Sequence, residues 1–173
     1  KPLLNTITAL ANGVNNIDAR SAVLSVIGPF GSGKSTSLLV GYHFLRGTLS
    51  STLEKELIQI GINPIKNSFM KNEIVVVTGK KLSLTNHLRS TLKLGEHILK
   101  AIENRIKKGK RLVLIIDEFG KYLEHNVDHP KTGDVYILQE LAELAQRSQG
   151  KFILVTIRHQ ALSAYFSTVK AVY

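Results

Sequence analysis

Eight residues near the start of the chain, Gly28-Pro-Phe-Gly-Ser-Gly-Lys-Ser35, constrain its fold more than any other stretch. They stand between a short apolar run, Ala22 to Ile27, and a run from Gly33 to Arg46 that closes at Gly47. The first has the length and flanks of a buried strand, and the second reads as a helix ended by glycine. The spacing satisfies G-x-x-x-x-G-K-[ST] in full, in the strand-to-helix setting that the motif requires. Glycines at 28, 31 and 33 let consecutive backbone N–H groups turn inward, and the following helix aims its positive end at the same place. A loop of this kind holds a polyphosphate. Lys34 supplies charge for the β and γ phosphates, Ser35 offers its hydroxyl to Mg2+, and Thr36 is placed for the α phosphate. Gly28, Pro29, Phe30, Gly31, Ser32 and Gly33 form the wrap itself.

A second signal lies eighty residues on, where five apolar residues, Leu112 to Ile116, run into Asp117 and Glu118. A wholly apolar strand is expected in the interior of a parallel sheet covered on both faces. Its carboxyl end is the edge where phosphate loops sit. Asp117 there suits a magnesium ligand, and Glu118 suits the base that polarises an attacking water. Further strands are expected over Glu73 to Thr78 and Phe152 to Thr156. Before the first of these the spacing predicts a short helix capped by Ser51 and ended by Gly61, and between the two one amphipathic helix from about Thr85 to Lys108. A polar connector, Glu124 to Gly133, then leads to a helix from Asp134, as N-cap, to Ser148. Strands alternating with helices give a three-layer α/β domain with a mostly parallel sheet. His125 and His129, four apart, would pair only on a helix; Pro130 and Gly133 favour an exposed loop instead.

Charge is distributed unevenly. Residues 63–111 hold twelve Lys/Arg against three Glu, whereas the rest of the chain holds eleven against ten acids. Along the expected long helix, Arg89, Lys93, Lys100 and Lys107 fall at four- and seven-residue spacing, a strip suited to DNA phosphates. The longest apolar run is far short of the roughly 20 residues that span a bilayer. The absence of cysteine excludes disulfides and thiolate metal sites, and a cytoplasmic location fits best.

Together these residues resemble the P-loop ATPases that carry a glutamate after Walker B, the class that includes the AAA+ proteins. The resemblance covers nearly the whole chain. Asp117-Glu-Phe-Gly-Lys-Tyr-Leu-Glu124, the segment Asp134 to Ala142 and Arg158-His-Gln160 look like parts of the large ATPases of prokaryotic anti-phage systems such as bacteriophage exclusion. The resemblance implies ATP and Mg2+ as cofactors, hydrolysis with Lys34 and Glu118 catalytic, and Ser35 and Asp117 on the metal. It also implies an oligomer or larger assembly in which the ATPase serves as motor or switch. A polar sensor is expected at the end of the fourth strand; Thr156 is at the matching position, with His159 and Gln160 close behind. A fifth core strand and a helical lid usually follow, and neither does here, so a single core domain over residues 1–173, a fragment of a larger protein, is expected. Two other readings are a weakly hydrolysing switch that binds DNA or a partner, and a small-molecule kinase. The latter fits a hydrolytic glutamate poorly.

Overall fold

The computed structural model describes residues 2–15, 18–29, 31–62, 65, 71–93, 95, 97–107, 109–129, 134 and 136–160. Four strands, β1 (Val23–Ile27), β2 (Lys71–Thr78), β3 (Lys110–Asp117) and β4 (Phe152–Arg158), form one all-parallel sheet in the order β1-β4-β3-β2. β3 is buried from Arg111 to Ile116 and β4 along its whole length, as a strand covered on both faces must be. The helices are α1 (Pro2–Val14), α2 (Lys34–Arg46), α3 (Ser51–Gln59), α4 (Leu84–Leu92), α5 (Ile98–Lys107), α6 (Gly120–Asp128) and α7 (Tyr136–Arg147). α1 packs on α2, and α5 packs with α4 and α7, giving two helix groups around the sheet. The mixed α/β fold with a parallel sheet is the one expected.

Several local features depart from the sequence expectation. α1 was not anticipated; its outer face carries no charge to mark it amphipathic, yet Ile7, Leu10, Ala11 and Val14 bury a clean helical stripe. The helix expected from Thr85 to Lys108 is two helices. α4 ends at Lys93 in the left-handed conformation, φ 50°, and α5 begins at Ile98. Each helix buries its own apolar ladder, Leu84, Leu88 and Leu92 in one, Ile98, Ile102 and Ile106 in the other. Arg105 secures the break, because its Nη2 donates to the Leu92 carbonyl at 2.8 Å while Nη1 donates to Glu73 at 3.0 Å.

The expected polar connector begins as helix α6, which buries Tyr122 and Leu123. The helix brings the rings of His125 and His129 into a stack 4.3 Å apart, so the pair is not an open loop; no third metal-ligating side chain joins them among the described residues. Asp134 does not spend its carboxylate on α7. It caps α4 instead, accepting from the Ser83 hydroxyl at 2.7 Å and from the backbone N–H groups of Leu84 and Thr85 at 3.3 and 2.6 Å. The short helix α3 is capped by Ser50, one residue before the serine expected.

At the amino end of the sheet lies Arg111, 5% exposed. Its Nε donates to the Gly150 carbonyl at 2.8 Å, Nη2 to Val14 at 3.0 Å and Nη1 to the Asn72 side chain at 3.1 Å. Asn72 passes the connection on, donating to the Leu45 carbonyl at 2.6 Å. Burial pushes the guanidinium pKa down from its ordinary value. Replacing Arg111 with Met strips three acceptors of their donor in a buried place. We expect a loss of about 3 kcal/mol, read as a lower urea midpoint with an unchanged denaturant slope.

Candidate functional site

The candidate phosphate loop is assembled from backbone. β1 ends at Ile27, and the Gly28 N–H donates to the Arg158 carbonyl at 3.3 Å, fastening the loop to the end of β4. Gly31 and Gly33 adopt φ of 75° and 80°, the left-handed region that favours glycine. Gly33 is the residue before α2, and its carbonyl takes both the backbone N–H of Ser37 at 2.9 Å and the Ser37 hydroxyl at 3.0 Å. The Lys34 ammonium reaches back along the loop, donating to the carbonyls of Gly28 at 2.6 Å and Pro29 at 2.7 Å. Phe30 lies outside the described residues.

The two acids sit at the carboxyl end of β3 in a turn held from both sides. Asp117 accepts the Glu118 N–H on Oδ1 at 2.8 Å, and its carbonyl accepts the Gly79 N–H at 2.7 Å. On the other side the Phe119 N–H donates to the Ile157 carbonyl at 2.8 Å. Glu118 itself is left-handed, φ 50°, an uncommon and costly state for a residue with a side chain. Its carboxylate pairs with the Lys121 ammonium one turn on. Gly79 is obligatory here, because a β-carbon at that position would collide with the Glu118 carbonyl. Neither Gly79 nor Lys121 stands out in the sequence; the only trace of the first is a glycine directly after an apolar strand.

Loop and acids face one another across a cavity of about 350 Å3, lined by residues 31–36, Asp117, Glu118 and His159. Two segments more than eighty residues apart in sequence therefore share a wall. Gly28 and Pro29 lie behind that wall, in contact with Lys34. Of the three polar residues at the end of β4, His159 lines the cavity. Thr156 is 7% exposed, and its hydroxyl donates to Ser25 Oγ at 3.2 Å, below the rim. Gln160 is exposed. The basic strip is also redistributed: Arg89 and Lys93 belong to the end of α4, and Lys100 and Lys107 to α5.

Polar contacts connect α6 to α4. Tyr122, on α6, shares a 2.6 Å hydrogen bond with His87 Nδ1, and Asn126 receives the Asp134 N–H at 2.7 Å. Burial, reinforced by the charge of Asp134, pushes the Tyr122 phenol up to about 12. Burial, with Lys80 nearby, pushes His87 down. For Asp134 burial alone would raise the pKa, but hydrogen bonds from Thr85, Ser83 and Leu84 hold it below the ordinary 3.8. A depressed carboxylate contributes stability above its unfolded pKa and loses it as pH falls through the folded value. Asp134→Asn should therefore unfold at lower urea than the parent chain at pH 7. The gap should narrow as pH falls below 3.8.

No described helix is long and apolar enough to cross a membrane. No protein-family model and no curated protein matches the chain. Among solved structures it is similar to the ORC2 protein of Aeropyrum pernix, determined as ADPNP and ADP complexes, at 13% identity and a TM-score of 0.38. That similarity covers 96% of this chain and 50% of the other, so this chain spans half the length of the protein it is compared with.

Proposed function

We propose that residues 1–173 are a P-loop ATPase core, a Mg2+-dependent ATP hydrolase that works as motor or switch within a larger assembly. The observation that carries the reading is the meeting of residues 31–36 with Asp117 and Glu118 around one cavity of about 350 Å3. That volume is at the small end of the range for ligand sites and suits a polyphosphate, with the nucleoside outside it. The resemblance of residues 117–124, 134–142 and 158–160 to anti-phage ATPases supports a defence complex as the setting.

In this reading the N–H groups of the loop and the first turn of α2 take up phosphate charge at the positive end of the helix. Lys34 exchanges its two loop carbonyls for β and γ phosphate oxygens. Ser35 and Asp117 are the residues that would hold Mg2+. Ser35 is exposed, and one Asp117 oxygen is taken by the Glu118 N–H, leaving the other available. Among the described residues no three His, Cys, Asp or Glu side chains form a cage; Mg2+ ordinarily takes one or two carboxylates and completes its shell with phosphates and water. When bound, the ion would neutralise charge developing on the transferred phosphoryl group.

Glu118 is the general base. It takes a proton from water as the water oxygen bonds to the γ phosphorus and the bond to the β–γ bridging oxygen breaks, releasing ADP and phosphate. His159, on the cavity wall, is the sensor we favour over Thr156, whose hydroxyl is engaged by Ser25. The Glu118–Lys121 ion pair supports the second reading, a weakly hydrolysing switch, because a base tied to an ammonium is less ready to accept a proton.

Phosphate release from Mg-ATP decides between them. Glu118→Gln should lower turnover by about 10²- to 10⁴-fold while ATP still binds. Lys34→Ala should weaken ATP binding itself by tenfold or more, on the order of 1.4 kcal/mol. Wild-type turnover in Glu118→Gln would overturn the hydrolase reading, and tight ATP binding without turnover in the parent chain would establish the switch.

A further inference from the structure

A second cavity, of about 440 Å3, opens where α4, α5 and α7 meet, and it shares no lining residue with the first. Thr85 and Arg89 reach it from α4, His97 and Lys100 from the start of α5, and Ile137 and Glu140 from α7. The helix break makes this grouping. In one unbroken helix, residues 89 and 100 would stand about 16 Å apart along the axis, spread on an open strip. Because α4 stops at Lys93 and α5 restarts at Ile98, the two cations instead line one enclosure.

The lining has the chemistry of an anion site. Among the described lining residues Arg89 and Lys100 stand with one acid, Glu140, and the His97 ring adds hydrogen-bonding capacity. His97 and Lys100 also stand at the amino end of α5, where the Ala101 N–H is bonded to the His97 carbonyl at 3.0 Å and the helix dipole adds positive potential. Ile98 and Ile137 supply an apolar wall that suits a sugar beside the charged group. Outside the cavity the charge continues, with exposed Lys93 at one mouth of the break and exposed Lys107 further along α5. A lone phosphate would need only the enclosure; a repeating series of cations suits a repeating polyanion.

We propose that this cavity seats a phosphodiester group of a nucleic-acid strand, with Lys100 as a principal phosphate contact and Lys93 and Lys107 meeting neighbouring phosphates. The site is independent of hydrolysis and can be tested without ATP. A short fluorescent DNA, single-stranded and duplex, is titrated with the protein at several salt concentrations and followed by anisotropy. Lys100→Glu should weaken binding about tenfold, and Lys100→Gln less in the same direction, with the salt slope reduced by about one. Lys100 is exposed, so both variants should retain the parent's thermal unfolding.

Lys55→Glu, the same charge change at an exposed position of α3 outside the basic window, should alter affinity less than about twofold. Equal losses from Lys55→Glu and Lys100→Glu would mean diffuse charge and overturn the site. So would binding that ignores Lys100 altogether, or no binding to either DNA. Polyglutamate competing as well as DNA of equal charge would replace the nucleic acid with an acidic polypeptide.

Discussion

A single buried guanidinium organises the amino end of the sheet. Among the described residues Arg111 has no carboxylate partner; it is held by the carbonyl that ends α1, the carbonyl of the turn before β4, and an asparagine that in turn grips α2. A buried charge survives there because dipoles solvate it, and because the last carbonyls of α1 lie at the negative end of a helix. In a parallel sheet all amino ends lie on one side and all carboxyl ends on the other. Fixing β2, β3, β4 and two helices at one side sets how their opposite ends are spaced, and the candidate site occupies those opposite ends.

The carboxyl edge is then joined by backbone alone. Gly28 bonds to the end of β4, Gly79 to the end of β3, and Phe119 back to β4. These three hydrogen bonds tie the loop, the acid turn and the second strand into one rim without using a side chain. Lys34, Ser35, Asp117, Glu118 and His159 are thereby left to face the cavity. The left-handed Glu118 belongs to the same economy of construction: the strained turn sends the chain from β3 into α6 while the carboxylate remains on the cavity wall.

The sequence made part of this legible. A loop motif between a strand and a helix, and an apolar run ending in two acids, are local patterns; the fold brings them to one cavity because parallel strands deliver their ends to one edge. What depended on contacts between distant residues was hidden. Asp134 looks like the cap of its own helix until Ser83 and Thr85 are seen beside it. The apolar stripe over residues 88–106 keeps a helical rhythm through a break that Lys93 and Arg105 impose. α1 lacks a charged outer face, and α6 has too few apolar residues to declare a period. Thr156 and His159 are equally polar in sequence; the structure separates them, because His159 lines the cavity and the Thr156 hydroxyl donates to Ser25.

The strand order has a consequence for how such a site comes into being. β4 is the latest of the described strands in sequence, yet it lies between β1 and β3, which carry the loop and the acids. A chain emerging from the ribosome therefore holds both halves of the cavity well before anything sets the gap between them. The central strand must insert into a seam left open by its predecessors, a slow non-local step in which apolar β1 and β3 edges are transiently bare. Closure of the cavity and completion of the core thus arrive in the same event.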